Sequence, residues 1–78
     1  TTVAMADDHY LVAQALSGLI QQFDEYEVLY TVENGRELIT RMQAGDCPDI
    51  VLLDLNMPVM DGFATATYLK VHYAAVKI

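Results

Sequence analysis

The run Ile50-Val51-Leu52-Leu53, closed by Asp54, constrains this chain more than any other stretch. Four consecutive apolar residues suit a strand covered on both faces of a parallel sheet; a half-exposed antiparallel strand would alternate. A carboxylate would be costly to bury inside such a sheet, so Asp54 belongs at the strand's carboxyl end, where open α/β sheets place their ligands. Pro58 lacks an N–H and restricts Met57, so Asn56-Met57-Pro58 cannot extend the strand. A shaped loop has to lead from Asp54 to Asp61-Gly62.

The same pattern occurs in miniature at the start of the chain. Thr2-Val3-Ala4-Met5-Ala6 reads as a buried strand ending in the paired carboxylates Asp7-Asp8, either of which could cap the helix that follows. From Asp8 onward the period changes to that of a helix, placing Val12, Ala15, Leu16, Leu19, Ile20 and Phe23 on one broad inward face. Tyr26 to Val32 is rich in aromatic and β-branched residues and predicts a second strand nearer an edge. Asn34-Gly35 marks a turn, with Asn34 capping a helix from Arg36 to Ala44 that points Leu38, Ile39 and Met42 inward and stops at Gly45. A third helix starts at Asp61-Gly62, with Phe63, Ala66, Leu69 or Lys70, and Tyr73 recurring at helical spacing. Ala75-Val76-Lys77-Ile78 resembles the start of a fourth strand.

The alternation β-α-β-α-β-α predicts right-handed crossovers and a parallel sheet with helices on both faces. The 78 residues make at most one small domain, and a chain of that length buries only about 60% of its unfolded surface. Four basic residues against eleven acidic give a net charge of −7, which argues against direct binding of nucleic acid or an anionic membrane and favours a cation or a basic protein face. The single Cys47 has no intramolecular disulfide partner and no second thiolate or imidazole at metal-binding spacing, so it reads as an ordinary packing or surface thiol. No signal peptide or membrane-spanning run is visible, and a cytoplasmic location is expected.

With the strands in the order 2-1-3, the first and third are neighbours, and their carboxyl ends bring Asp7, Asp8 and Asp54 to one crevice at a topological switch point. Like charges about 4 Å apart repel by about 4 kcal/mol at an effective dielectric near 20. Either one carboxylate is protonated or a cation sits among them. An all-oxygen donor set points to Mg2+ or Mn2+ rather than zinc. A metal-clamped phosphoryl transfer onto Asp54 is chemistry that such a site permits.

Ala6-Asp7-Asp8-His9, the run Leu53-Asp54-Leu55-Asn56-Met57-Pro58-Val59-Met60-Asp61-Gly62, and the β/α order between them resemble the receiver domain of bacterial two-component response regulators. Asp-Asp-His-Tyr-Leu-Val further resembles the receivers that precede a helix-turn-helix output domain. The resemblance implies a flavodoxin-like fold of strand order 2-1-3-4-5, a sensor histidine kinase as phosphoryl donor, and Mg2+ as cofactor. By position, Asp54 matches the phosphoacceptor, Asp8 a direct metal ligand, Asp7 a ligand acting through a metal-bound water, and Asn56 the residue whose backbone carbonyl reaches the metal. Pro58 and Gly62 match residues that shape the loop.

The family pattern continues into a fourth strand ending in Ser or Thr and a fifth ending in Lys, and neither is present here. Lys77 lies too early for the family's lysine. Residues 1–78 are therefore expected to form a partial receiver of three strands, three helices and the start of a fourth strand, with an outer edge that invites strand exchange or self-association. His9, at a first helical turn, is read as solvent-facing and kept outside the site. Two further readings remain. A haloacid-dehalogenase-like phosphatase also uses an aspartate after a buried strand, but Asn56 stands where its second aspartate would be. The other reading is an interaction module or inactive fragment that is not phosphorylated.

Overall fold

The computed structural model describes all residues from Thr1 to Ile78. Its centre is β1 (Thr2–Ala6), whose small apolar residues are buried from Val3 to Ala6. This strand pairs in parallel with β2 (Glu27–Val32) on one side and β3 (Ile50–Leu53) on the other, giving the sheet order β2-β1-β3. Val3 to Ala6 lie beside Ile50 to Leu53 without interruption. Against β2 the register slips between Val3 and Ala4, and Ala6 ends opposite Val32.

Side chains of β1 alternate between two apolar clusters, as the pleat requires. Val3 and Met5 face α1 (Tyr10–Gln21) and pack with Ala13. Ala4 and Ala6 face the opposite side, where Val32, Leu38, Met42, Val51, Met57 and Leu69 complete the larger cluster with residues of α2 (Gly35–Gln43) and α3 (Gly62–His72). The helices after β1 and β3 therefore leave on opposite sides of the sheet, which creates the switch point between those two strands.

The second helix follows its sequence pattern closely. The Asn34 side chain accepts from the Glu37 N–H at 2.9 Å, the Glu37 carboxylate accepts from the Glu33 N–H at 3.0 Å, and Leu38, Ile39 and Met42 are buried. Gly45 ends the helical segment at φ +105°, a conformation that side chains with a Cβ rarely adopt.

Two helical faces differ from the periodic reading. In α1 only Ala13 is buried, while Val12, Leu16, Leu19 and Phe23 are exposed. This helix lies alone on its side of the sheet, so a narrow contact row around Ala13 and Ile20 touches β1, and the wider apolar stripe has nothing to pack against. In α3 the buried positions are Gly62, Thr65 and Leu69, and Phe63 is 65% exposed. Small residues face inward here because α3 lies close to its neighbours. The Thr65 hydroxyl can be buried because it donates to the Asp61 carbonyl at 2.7 Å. Beyond α3 the chain returns to β3. Lys77 forms one parallel bridge with Ile50, the Val51 N–H donating to the Lys77 carbonyl at 2.7 Å.

Candidate functional site

The sheet ladder itself delivers the carboxylates. Just past the last residues of β1 and β3, the Asp7 N–H donates to the Val32 carbonyl and the Asp54 N–H donates to the Ala6 carbonyl, both at 2.9 Å. These bonds fix both backbones at the carboxyl edge of the sheet, so a one-residue slip in pairing would turn either side chain to the other face. Asp8 follows directly. The three aspartates and His9 each offer a ligand atom, and these atoms all lie within 4.8 Å of one another. Asp7, Asp8 and Asp54 are thus brought together as the sequence predicts.

Asp54 is held as an ionised acceptor. The Asn56 N–H donates to its Oδ1 at 3.1 Å and is the main reason its carboxyl lies below the ordinary carboxylate range; partial burial acts in the opposite direction, and Asp7 and His9 add to the lowering. The other oxygen, Oδ2, is shielded from solvent and has no hydrogen-bond partner, although the side chain as a whole keeps 21% of its exposure. An anionic oxygen in that position is costly unless a cation or donor meets it. The unsatisfied atom and the all-aspartate oxygen set fit a hard divalent cation. Asn56 enters the cluster through its backbone N–H.

The loop that carries these atoms is held at several points. The Gly62 N–H donates to the Leu55 carbonyl at 3.2 Å, and the Gly35 N–H at the start of α2 donates to the Met60 carbonyl at 3.1 Å. A Cβ at Gly62 would run into the Asp54 carbonyl and come within 2.7 Å of the Leu55 Cα, so only glycine lets α3 start this close to the end of β3. The Asp61 side chain caps α3 by accepting from the Ala64 N–H at 2.8 Å. Val59, between Pro58 and Met60, has φ +65°, a left-handed conformation that is strained for a β-branched residue.

His9 is solvent-facing, as its place at a first helical turn implies, and it also stands beside the carboxylates. Its ring is 63% exposed, yet Nδ1 stands 3.0 Å from Asp7 Oδ1, 3.1 Å from Asp8 Oδ1 and 3.4 Å from Asp54 Oδ2. The contact with Asp54 is an ion-pair approach without hydrogen-bond geometry. The hydrogen bond to Asp7, followed by the charge of Asp8, raises the imidazole above its ordinary pKa. Asp7 Oδ1 also accepts from the His9 N–H at 2.8 Å, an Asx turn that folds residue 9 back over the cluster. The available sequence signal was the tendency of Asp to bond the N–H two residues on. Neither Asp7 nor Asp8 supplies the N-cap of α1; His9 occupies that position without a side-chain capping bond.

The family model described as the response regulator receiver domain matches residues 3–78. The transcriptional regulatory protein YdfI of Bacillus subtilis is 37% identical over 68 residues, which cover 87% of this chain and 32% of that protein. A protein-glutamate methylesterase/protein-glutamine glutaminase of Carboxydothermus hydrogenoformans is 34% identical over 70 residues, covering 90% of the chain and 20% of the relative. Among solved structures, RcsB of Salmonella enterica, bound to the promoter rprA in the presence of the phosphomimetic BeF3−, superposes with a TM-score of 0.84 at 26% identity, covering 95% of this chain and 62% of that one. The chain thus spans a third or less of these two curated relatives.

Proposed function

Because the chain belongs to the response regulator receiver domain family, we propose that it works as a phosphoacceptor signalling domain in which Asp54 takes the phosphoryl group of a sensor histidine kinase. The observation that carries this assignment is the Asp54 carboxylate, ionised at a strand end with one oxygen bonded to the Asn56 N–H and the other shielded and unpartnered beside Asp7 and Asp8. In the transfer, an oxygen of Asp54 attacks phosphorus, the phosphorus–nitrogen bond to the kinase histidine breaks, and an acyl phosphate forms on Asp54.

Asp8 and Asp54 are the direct protein ligands we assign to Mg2+, with Asp7 acting through water and Asn56 through its backbone carbonyl; Mn2+ would suit the same donors. When bound, the cation offsets the charge of the carboxylates and of the incoming phosphoryl oxygens. The chain's own residues order the site: β1 and β3 set the carboxylates side by side, and the Gly35, Asp61 and Gly62 contacts hold the acceptor loop.

The role is signalling rather than turnover of a separate substrate, with the site assisting its own phosphorylation and dephosphorylation. The two relatives carry most of their own length outside the region that this chain matches. The relative from B. subtilis is named as a transcriptional regulator, and the RcsB structure holds a promoter, which supports a DNA-binding output for this protein too. A cytoplasmic location accords with donation from a kinase, and no helix is long and apolar enough to cross a membrane.

Incubation of the full-length protein with labelled phospho-kinase or acetyl phosphate and Mg2+ is the direct test. Label should appear on the wild type and be absent from Asp54→Asn and from EDTA-treated samples. Undiminished labelling of Asp54→Asn would place the acceptor elsewhere.

A further inference from the structure

We propose that the His9 ring is a displaceable occupant of the cation position, standing among Asp7, Asp8 and Asp54 while no metal is bound and swinging to solvent when Mg2+ enters. This rests on the reading of the cluster as a divalent-cation site.

The geometry of the ring carries the inference. One nitrogen faces three carboxylates from two strand ends at 3.0, 3.1 and 3.4 Å, so a single atom meets the three groups that a bridging cation would also have to meet. The fit is imperfect in an informative way, because Asp54 Oδ2 stays without a hydrogen bond beside the ring. A cation lodged among the three carboxylates would satisfy that oxygen, as the ring does not. Mg2+ favours oxygen ligands at about 2.1 Å and keeps several waters, so imidazole is a poor partner and water replaces it readily.

The side chain is also free to leave. It is 63% exposed, and it makes no capping bond to α1. The backbone of residue 9 is anchored separately, its N–H donating to Asp7 Oδ1 at 2.8 Å and its carbonyl accepting from the Ala13 N–H at 3.0 Å. Rotation about the side-chain bonds therefore moves the ring without disturbing the strand end or the helix.

The experiment compares Mg2+ binding by the full-length wild type and His9→Ala, using calorimetric titration, with the ring of His9 followed by NMR in the wild type. With its competitor removed, the variant should bind Mg2+ about 1.5- to fivefold more tightly, the range expected from losing one exposed polar contact. The His9 ring signals should move on saturation toward those of a solvent-exposed imidazole. Weaker binding by the variant would make His9 a metal ligand and overturn the proposal. Equal affinities, or ring signals unmoved by saturating Mg2+, would overturn it while leaving the cation site intact. Failure of both proteins to bind Mg2+ would remove the cation site and the proposal together.

Discussion

At the scale of single residues, the loop from Asp54 to Gly62 is shaped by backbone conformation and close contact. Val59 lies at φ +65° with 73% of its surface exposed, so it contributes little packing in return for its backbone strain. Asparagine tolerates the left-handed region far better. Val59→Asn should therefore stabilise the protein by about 1 kcal/mol, seen as a higher urea midpoint with an unchanged slope. A lower midpoint would show that the valine side chain matters more than the strain. Pro58 and Gly62 were legible in sequence as loop-shaping residues. The reason Gly62 must be glycine was not, because the Asp54 carbonyl and the Leu55 Cα that exclude a Cβ come from a strand end eight and seven residues away, brought back by the loop. The exposure of His9 was legible from its helix position, but its approach to the carboxylates was not, because the Asx turn at Asp7 sets its direction.

Elements differ in how far their sequence pattern corresponds to burial. The apolar positions of α2 meet a sheet face and a neighbouring helix, and Leu38 is fully buried there. Leu38→Ala should cost about 2–5 kcal/mol in urea unfolding through lost transfer energy and the cavity left behind. Leu19 of α1 belongs to an equally clear helical stripe but is 56% exposed, so Leu19→Ala should cost under about 1 kcal/mol. Comparable losses in the two variants would mean that the outer face of α1 is covered in solution. Periodicity identifies an apolar face, whereas burial depends on what lies opposite it. In α3 the expected Leu69 is buried and Tyr73 packs on the core, but close approach puts Gly62 and Thr65 at the contact and leaves Phe63 outside.

For the whole molecule, the alignment of β1 with β3 is reinforced at the end opposite the carboxylate cluster. Asp49 Oδ2 accepts from the Thr2 N–H at 2.9 Å and from the Thr2 hydroxyl at 3.2 Å, and these donors, the backbone one foremost, hold the Asp49 carboxyl below its ordinary range. Its folded pKa is depressed, so the associated stability is fully present above the unfolded value of about 3.9 and is lost as pH falls through the folded value. Asp49→Asn should thus lower the urea midpoint at neutral pH, and the gap from wild type should close on acidification below the carboxylate range. A gap that persists unchanged at the acid end would assign the effect to geometry rather than ionisation. The carboxylate site at the other end depends on the same parallel pairing, since Asp7 and Asp54 follow immediately after β1 and β3.

The sequence by itself determined the order of elements, the parallel sheet and the convergence of Asp7, Asp8 and Asp54, because burial patterns and the switch-point rule depend on residue type and chain order. Tertiary structure alone decided that His9 joins those carboxylates, that Asp54 Oδ2 is left unsatisfied, and which stripes of α1 and α3 are buried. These outcomes depend on distances between segments far apart in the chain, and no local pattern encodes how closely two packed surfaces approach.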